Sequence, residues 1–254
     1  MPSFKAISKL GVSVERSLAR VGMVCAVAMG CTSCSGPDKN VDLTLLYVTD
    51  VHGLLLSENF GSTELPNTSM ANFSTYVNYV HNTCGKDKTI LLCGGDLNDG
   101  LPLEYYYNRI ARYEEHISPA VMNYLDFDAI QLGASDMALG MDVWIGILPA
   151  QYKMPYMCAN LQDNKTQIPP FRPYTIIERH GVRIAVIGLI DPKSCDQLGP
   201  EDIQGLHLGD LEDLARYSVN YIHEYEKPDY TIIMASAGAD NSDRAWDVLG
   251  SSGF

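Results

Sequence analysis

The sequence predicts an α/β domain built on parallel strands, and three observations predict it. An apolar run, Leu43 to Val48, stops at Thr49-Asp50-Val51-His52-Gly53. A second, Thr89 to Cys93, runs into Gly94-Gly95-Asp96-Leu97-Asn98-Asp99-Gly100, and a third, Asp128 to Leu132, runs into Gly133-Ala134-Ser135-Asp136. Short apolar runs rich in β-formers that end on acids and glycines read as buried parallel strands carrying polar groups at their carboxyl ends. In open α/β sheets the ligand crevice lies outside those ends.

The chain opens with Lys5, Lys9, Arg16 and Arg20 against a single acid, Glu15, followed by an uncharged, small and apolar run from Val21 to Gly30. That run is too short to cross a bilayer core of ~30 Å. It reads as a secretory signal. Gly30-Cys31-Thr32-Ser33-Cys34-Ser35-Gly36 resembles a bacterial lipoprotein signal, with Cys34 the preferred lipidated residue and Cys31 the alternative. The expected division is a lipoprotein signal peptide over 1–33, a linker over 34–41 and one catalytic-type domain over 42–254. This makes the protein an exported bacterial lipoprotein, periplasmic or anchored in the cell envelope, with a membrane surface as partner.

At the first tip, Asp50 and His52 stand two apart. If strand geometry holds to its end, both side chains share a direction, and a carboxylate oxygen and an imidazole nitrogen converge on one cation. A turn that only caps the strand is the other reading, and taken alone the spacing leaves the two even. Between the first and second strands, Ser69 caps a helix with Met70, Phe73, Val77 and Val80 at steps of three and four, ending by Cys84-Gly85. Tyr105 to Tyr107 are expected to pack beneath the second tip, with substrate stacking the less favoured use. Ser118-Pro119 starts a helix carrying Val121, Met122 and Leu125. Trp144, Ile145 and Leu148 mark another helix face, and Asn160 to Pro173 reads as a surface loop.

Tyr174 to Glu178, the turn Arg179-His180-Gly181 and Val182 to Ile190 form a hairpin. Asp210 caps a helix bearing Leu211, Leu214, Val219 and Ile222, and Tyr230 to Met234 is the last strand. His81, His116, His207 and His223 have no partner at ligand spacing and read as solvated. Cys84, Cys93, Cys158 and Cys195 allow three full pairings, with buried free thiols preferred for Cys93 and Cys158. The formal net charge is −13 over 254 residues, and removal of the leader takes away four bases and one acid. Such a surface excludes a nucleic-acid polymer as partner, and it repels phosphate compounds unless a metal reverses the sign locally.

The succession of tips resembles the metallophosphoesterases of the calcineurin-like superfamily, and specifically the catalytic domain of the 5′-nucleotidase and 2′,3′-cyclic-nucleotide phosphodiesterase family. The resemblance runs from about Leu43 to Asp240 and includes Tyr105-Tyr106-Tyr107-Asn108, Met157-Cys158-Ala159-Asn160 and the hairpin from Pro173 to Ile190. It implies an α/β sandwich with a strand-end metal site, and hydrolysis of phosphate esters by two divalent ions. By that resemblance Asp50 and His52 match first-metal ligands and Asp96 the bridging acid.

Three other positions depart from the family. Ala134 stands where the resemblance places a metal-binding asparagine, Ser135 where it places a catalytic histidine, and Ser236 where it places a further metal-binding histidine. Alanine has no donor atom and serine is a poor ligand beside imidazole. The family's later histidine loop is not reached before Phe254, so the last part of the domain is expected to be missing.

The expectation is therefore one divalent ion (manganese, iron, magnesium or zinc) at Asp50, His52 and Asp96. No second metal is expected, and no catalytic residue is assigned. Asp136, Asp240 or Asp243 are candidate substitutes, to which spacing lends no positive support. The functional reading is an exported 5′-nucleotidase-like metallophosphoesterase, impaired in this chain. Its ligand would be a nucleotide or phosphate, and a nucleotidase C-terminal domain on a separate chain is a further partner. The alternative is a silent lipoprotein, a pseudoenzyme that binds a ligand or partner, or a truncated gene fragment. Whether the chain is an enzyme is left open between the two.

Overall fold

The computed structural model describes residues 41–56, 69–196 and 198–237. The leader, Cys31, Cys34, Asp240 and Asp243 lie outside them. Four parallel strands form the first sheet in the order β1 (Thr44–Val48), β2 (Thr89–Cys93), β3 (Ala129–Gln131) and β4 (Tyr156–Met157). A short antiparallel pair joins β5 (Leu161–Asp163) to β8 (Leu206–Leu208). A second sheet runs β6 (Tyr174–Arg179), β7 (Val182–Ile190) and β9 (Tyr230–Ser236), with β7 antiparallel to β6 and parallel to β9.

Side chains alternate across a strand, and that alternation builds the layers. On β2, Leu91 and Cys93 face one core, shared with Met70, Val77 and Val80 of α1 (Met70–Cys84) and Met122 of α3 (Ile117–Leu125). Ile90 and Leu92 face the other, meeting Ile184 and Val186 of β7 and Ile232 and Met234 of β9. The opposite face of β7, with Ala185, Ile187 and Leu189, packs on Leu211, Ala215 and Ile222 of α5 (Leu211–Tyr225). The result is a helix, sheet, sheet, helix sandwich, and both faces of β2 and β7 are covered. This is why these strands read as unbroken apolar runs.

The expected helix after the first strand is present, with Ser69 accepting from the amide of Asn72 and Gly85 following its end. Asp210 caps α5 by accepting from the amides of Glu212 and Asp213. Helix α3 begins at Ile117, one residue before Ser118. Between β2 and α3 the short helix α2 (Pro102–Tyr105) widens into a π turn, Tyr106–Ile110. A second π segment, Asp142–Ile147, carries buried Trp144 into α4 (Leu148–Gln151).

Several expectations are corrected. Asn160 to Pro173 is not simply a surface loop: it contains β5, and Asn160 is fully buried. The Asn160 side-chain Oδ1 accepts from the Ile190 amide at 3.0 Å, and its Nδ2 donates to the Ile190 and Gly209 carbonyls at 2.7 and 3.1 Å, which ties the segment to the end of β7. Strand β9 runs two residues past Met234 because β7 is long enough to pair Ile190 with Ser236.

His116 is buried, its Nε2 donating to the Arg112 carbonyl and its ring against Tyr107, so it is not a surface residue. Tyr105 and Tyr106 are exposed, because the π turn buries Glu104 and Asn108 in their place. His207 and His223 stay at the surface, bonded to Asn164 and Thr231. Cys84, Cys93, Cys158 and Cys195 are free thiols. Among the described residues no helix is long and apolar enough to cross a membrane.

Candidate metal centre

The tips of β1 and β2 are zipped together beyond the strand ladder. The Gly94 amide donates to the Val48 carbonyl, Asp50 to Gly95, His52 to Asp96 and Gly53 to Leu97, at 2.9, 3.2, 2.9 and 3.0 Å. Strand geometry does not persist to the tip, contrary to the premise of the spacing argument. Asp50 (φ 55°), His52 (φ 46°) and Asp96 (φ 55°) all lie in the left-handed region, three of the seven non-glycine residues that do so among those described. Each such residue costs on the order of 1 kcal/mol or more and persists only where its surroundings impose it.

His52 and Asp50 nevertheless face each other, with Nε2 3.8 Å from Oδ1, and their side chains are 44% and 47% exposed. Nδ1 of His52 lies 2.7 Å from Oδ1 of Asp99. That bond, ahead of the nearby Asp96 and Asp50 charges, holds the imidazole up at about 9, against the opposing effect of burial. A carboxylate on one ring nitrogen fixes the tautomer and leaves the other nitrogen directed at a ligand. Asp99 was missed from sequence; its only signal was its place in the glycine-rich second tip.

Asp96 is buried, and its Oδ1 accepts from both the amide and the hydroxyl of Ser135, each at 2.7 Å. Burial raises its carboxyl above the ordinary range; the Ser135 bonds oppose this and the Asp50 charge adds to it. The backbone of the third tip is pressed against this carboxylate. A Cβ on Gly133 would lie 2.1 Å from the Asp96 nitrogen and 2.4 Å from Oδ1, so only glycine fits there.

Asp136 is not a substitute ligand. It is fully buried, and its two oxygens accept from the amides of Asp96, Leu97, Asn98 and Gly133 and from the Asn98 side chain, at 2.9 to 3.1 Å. Its carboxylate is the cup on which the second tip rests. Burial, then the Asp96 charge, pushes it up to about 6, while these donors favour its charged form. Asn98 in turn accepts from the Tyr152 hydroxyl.

Ser236 ends β9, its carbonyl accepting from the Asp191 amide at 2.8 Å. Burial, ahead of Cys158 and the charges of Asp96 and Asp191, pushes up the thiol of Cys195 on the segment after β7.

These residues do not fit a dinuclear centre. Ala134 offers no donor, and the Ser135 hydroxyl is committed to Asp96. For one divalent ion the donors are right in kind, with Asp50 and His52 turned to each other and Asp96 on the adjoining tip. Among the described residues, no three histidines, cysteines or acids are gathered into an array that would hold a metal.

Comparison with known proteins finds the same resemblance. No family model matches. The chain is 28% identical over 209 residues to a 5′-nucleotidase of Vibrio cholerae, covering 79% of this chain and 34% of that protein. It is 26% identical over 231 residues to protein UshA of Yersinia enterocolitica, covering 89% and 39%. It thus spans about a third of the length of these curated relatives. The calcineurin-like phosphoesterase YfkN of Bacillus subtilis superposes with a TM-score of 0.67 at 22% identity, over 76% of this chain and 61% of that one. A putative 5′-nucleotidase of Staphylococcus aureus gives 0.66 at 18%, over 75% and 36%.

Proposed function

We propose that this chain, which belongs to the calcineurin-like metallophosphoesterases in their 5′-nucleotidase branch, carries the phosphoesterase part of an exported enzyme that hydrolyses nucleotide phosphate esters slowly. The observation that carries this reading is the pair of tips after β1 and β2, where Asp50, His52 and Asp96 stand on backbone-bonded loops in left-handed conformations. Asp50, His52 and Asp96 would hold one divalent ion, which supplies positive charge against the phosphoryl group and lowers the pKa of a bound water.

The chain's own residues prepare that site. Asp99 holds Nδ1 of His52 and leaves Nε2 for the ligand, Ser135 orients the Asp96 carboxylate, and Asp136 supports the loop beneath it. Because His52 titrates at about 9, loading the site displaces a proton from Nε2 at neutral pH, and affinity rises with pH. Slow turnover follows from Ser135: where a general acid is missing the loss is about 10²- to 10⁴-fold.

The test is release of inorganic phosphate by the full chain with manganese, from adenosine 5′-monophosphate and from an aryl phosphate. Slow saturable release, abolished in Asp96→Asn, is expected; no release above buffer with metal present removes the reading. Export rests on the basic and apolar leader, and one structural relative is named a 5′-nucleotidase precursor, from Thermus thermophilus. Membrane attachment through lipid on Cys34 would be lost in Cys34→Ala, as intact mass and membrane fractionation would show. A nucleotidase C-terminal domain on a separate chain is the remaining partner, and co-purification from the source cells would identify it.

A further inference from the structure

The leader and the direction of the strands together limit which end of the domain can meet a membrane. Val41, where the described domain begins, lies seven residues after Cys34. A chain held by lipid on Cys34 therefore keeps Val41 within about 25 Å of the bilayer surface. Val41 leads into β1 at the amino ends of the parallel strands, whereas the tips lie at the carboxyl ends. Strand β7, nine residues long, sets the two ends about 30 Å apart at about 3.3 Å per residue. Standing on its tips, the domain would hold Val41 beyond the reach of that tether.

The amino ends of both sheets meet in one surface. Arg179, in the β6–β7 turn, donates to the Thr89 carbonyl at the start of β2 and pairs with Asp128 just ahead of β3. His180 bonds Asp87 at 2.6 Å, Lys86 pairs with Asp126 at 2.8 Å, and Lys88, two residues on, is exposed. Lys86, Asp87, Glu178, Arg179 and His180 border an open depression of about 640 Å³. Bases and acids come close to balance here, in a chain whose net charge is −13. The tips instead set Asp50, Asp96 and Asp99 beside His52. An anionic bilayer repels that end far more than this one. Exposed ion pairs are weakly held, so headgroup phosphates can compete for the lysine and arginine N–H groups.

Helices α1, α3 and α5 each run back from a carboxyl end toward the start of a following parallel strand, so their last turns reach the same surface. Each carries an exposed tyrosine toward that end: Tyr79, Tyr124 and Tyr225. With an apolar ring and a polar tip, tyrosine suits the headgroup level of a bilayer. Exposed tyrosines also stand near the tips, as Tyr105 and Tyr106, so the tether and the charge balance are what choose the end.

We propose that the amino end of the two sheets is a bilayer-facing surface, where Lys86, Lys88 and Arg179 meet the phosphates of anionic lipid headgroups and Tyr79, Tyr124 and Tyr225 ring the contact. The candidate metal centre then opens away from the membrane. The proposal rests on the lipid-anchor reading and not on the hydrolase.

The lipid-bearing full chain is placed on vesicles of phosphatidylethanolamine and phosphatidylglycerol or kept in nonionic detergent, and its exposed amines are acetylated and read by mass spectrometry. Slower labelling of Lys86 and Lys88 on vesicles is expected, while Lys193, exposed just past the carboxyl end of β7, labels equally in both settings. In the double variant Lys86→Glu, Lys88→Glu, amide exchange over residues 178–182 on vesicles should rise to its rate in detergent while the chain stays membrane-bound. Both lysines are exposed, so this variant retains the fold.

Intact mass keeps the outcomes apart. A chain without lipid on Cys34 removes the anchor and this surface with it. A lipid-bearing chain keeps the anchor but overturns the surface if Lys86 and Lys88 label alike in both settings, if Lys193 is the lysine shielded, or if exchange over 178–182 is unchanged in the double variant.

Discussion

The tips that follow β1 and β3 began as equivalent features of one parallel sheet, and they have opposite fates. The first keeps its acid and histidine, strained and about half exposed, with Nε2 of His52 facing Asp50. The third has turned inward: Ala134 is silent, Ser135 grips Asp96, and Asp136 is sealed in a shell of N–H donors. What separates them is hydrogen-bond satisfaction. A buried carboxylate with every lone pair occupied is scaffold, whereas one with free lone pairs at the surface is available to a ligand.

The most severe way to break that contrast is Asp136→Ala. It strips the acceptor from five donors at once, and a loss of about 3 to 5 kcal/mol is expected by urea denaturation, because each buried donor left unpaired carries its own desolvation cost.

Next in size is a pH effect beneath the first tip. Glu104 is fully buried, with its Cγ 2.9 Å from where a Cβ on Gly53 would lie. Its Oε1 accepts from Ser118 at 2.7 Å, but Oε2 has no partner. Burial lifts its pKa to about 7. The folded state therefore holds this proton more tightly than the unfolded chain, and the contribution is complete below pH 4.5 and lost as pH rises through about 7. A fall on the order of 2 to 3 kcal/mol between pH 5 and 8 follows from a shift of this size. Thermal melts should show it, and Glu104→Gln should flatten it. An unchanged slope in that variant would mean that the second buried carboxylate is as well satisfied as Asp136.

A milder sharpening is Ser135→Ala, which removes one of the two bonds to Asp96 Oδ1 and keeps the amide. About 1 to 2 kcal/mol is expected for a bond to a charged group, again by denaturation. The smallest effect belongs to the exposed tip. Asp99→Asn should lower the His52 titration from about 9 toward 6.5, read by NMR. Stability should change little, because a partly exposed pair is screened by solvent.

Much of this was legible in the residues. The unbroken apolar runs of β2 and β7, the Ser69 and Asp210 caps and the glycines around Asp96 are local signals, and each element they predicted is present. The misreadings share a cause. Asn160 was assigned to a loop and His116 to the surface because their partners, Ile190 in one case and Arg112 with Tyr107 in the other, are not implied by any local pattern. The tyrosines were placed inside because a π turn rotates a helical face in a way that 3.6-residue spacing does not anticipate.

The sequence by itself determined the family resemblance, the parallel strand tips and the absence of a donor at Ala134, since a missing side chain is missing in any fold. Only the tertiary structure decided the role of each acid that remained. Asp136 became a cup and Asp99 a histidine holder because each bonds groups some 40 positions away, 38 to 40 residues for Asp136 and 47 for Asp99. Burial and pairing at that range are settled by packing, which no window of sequence contains.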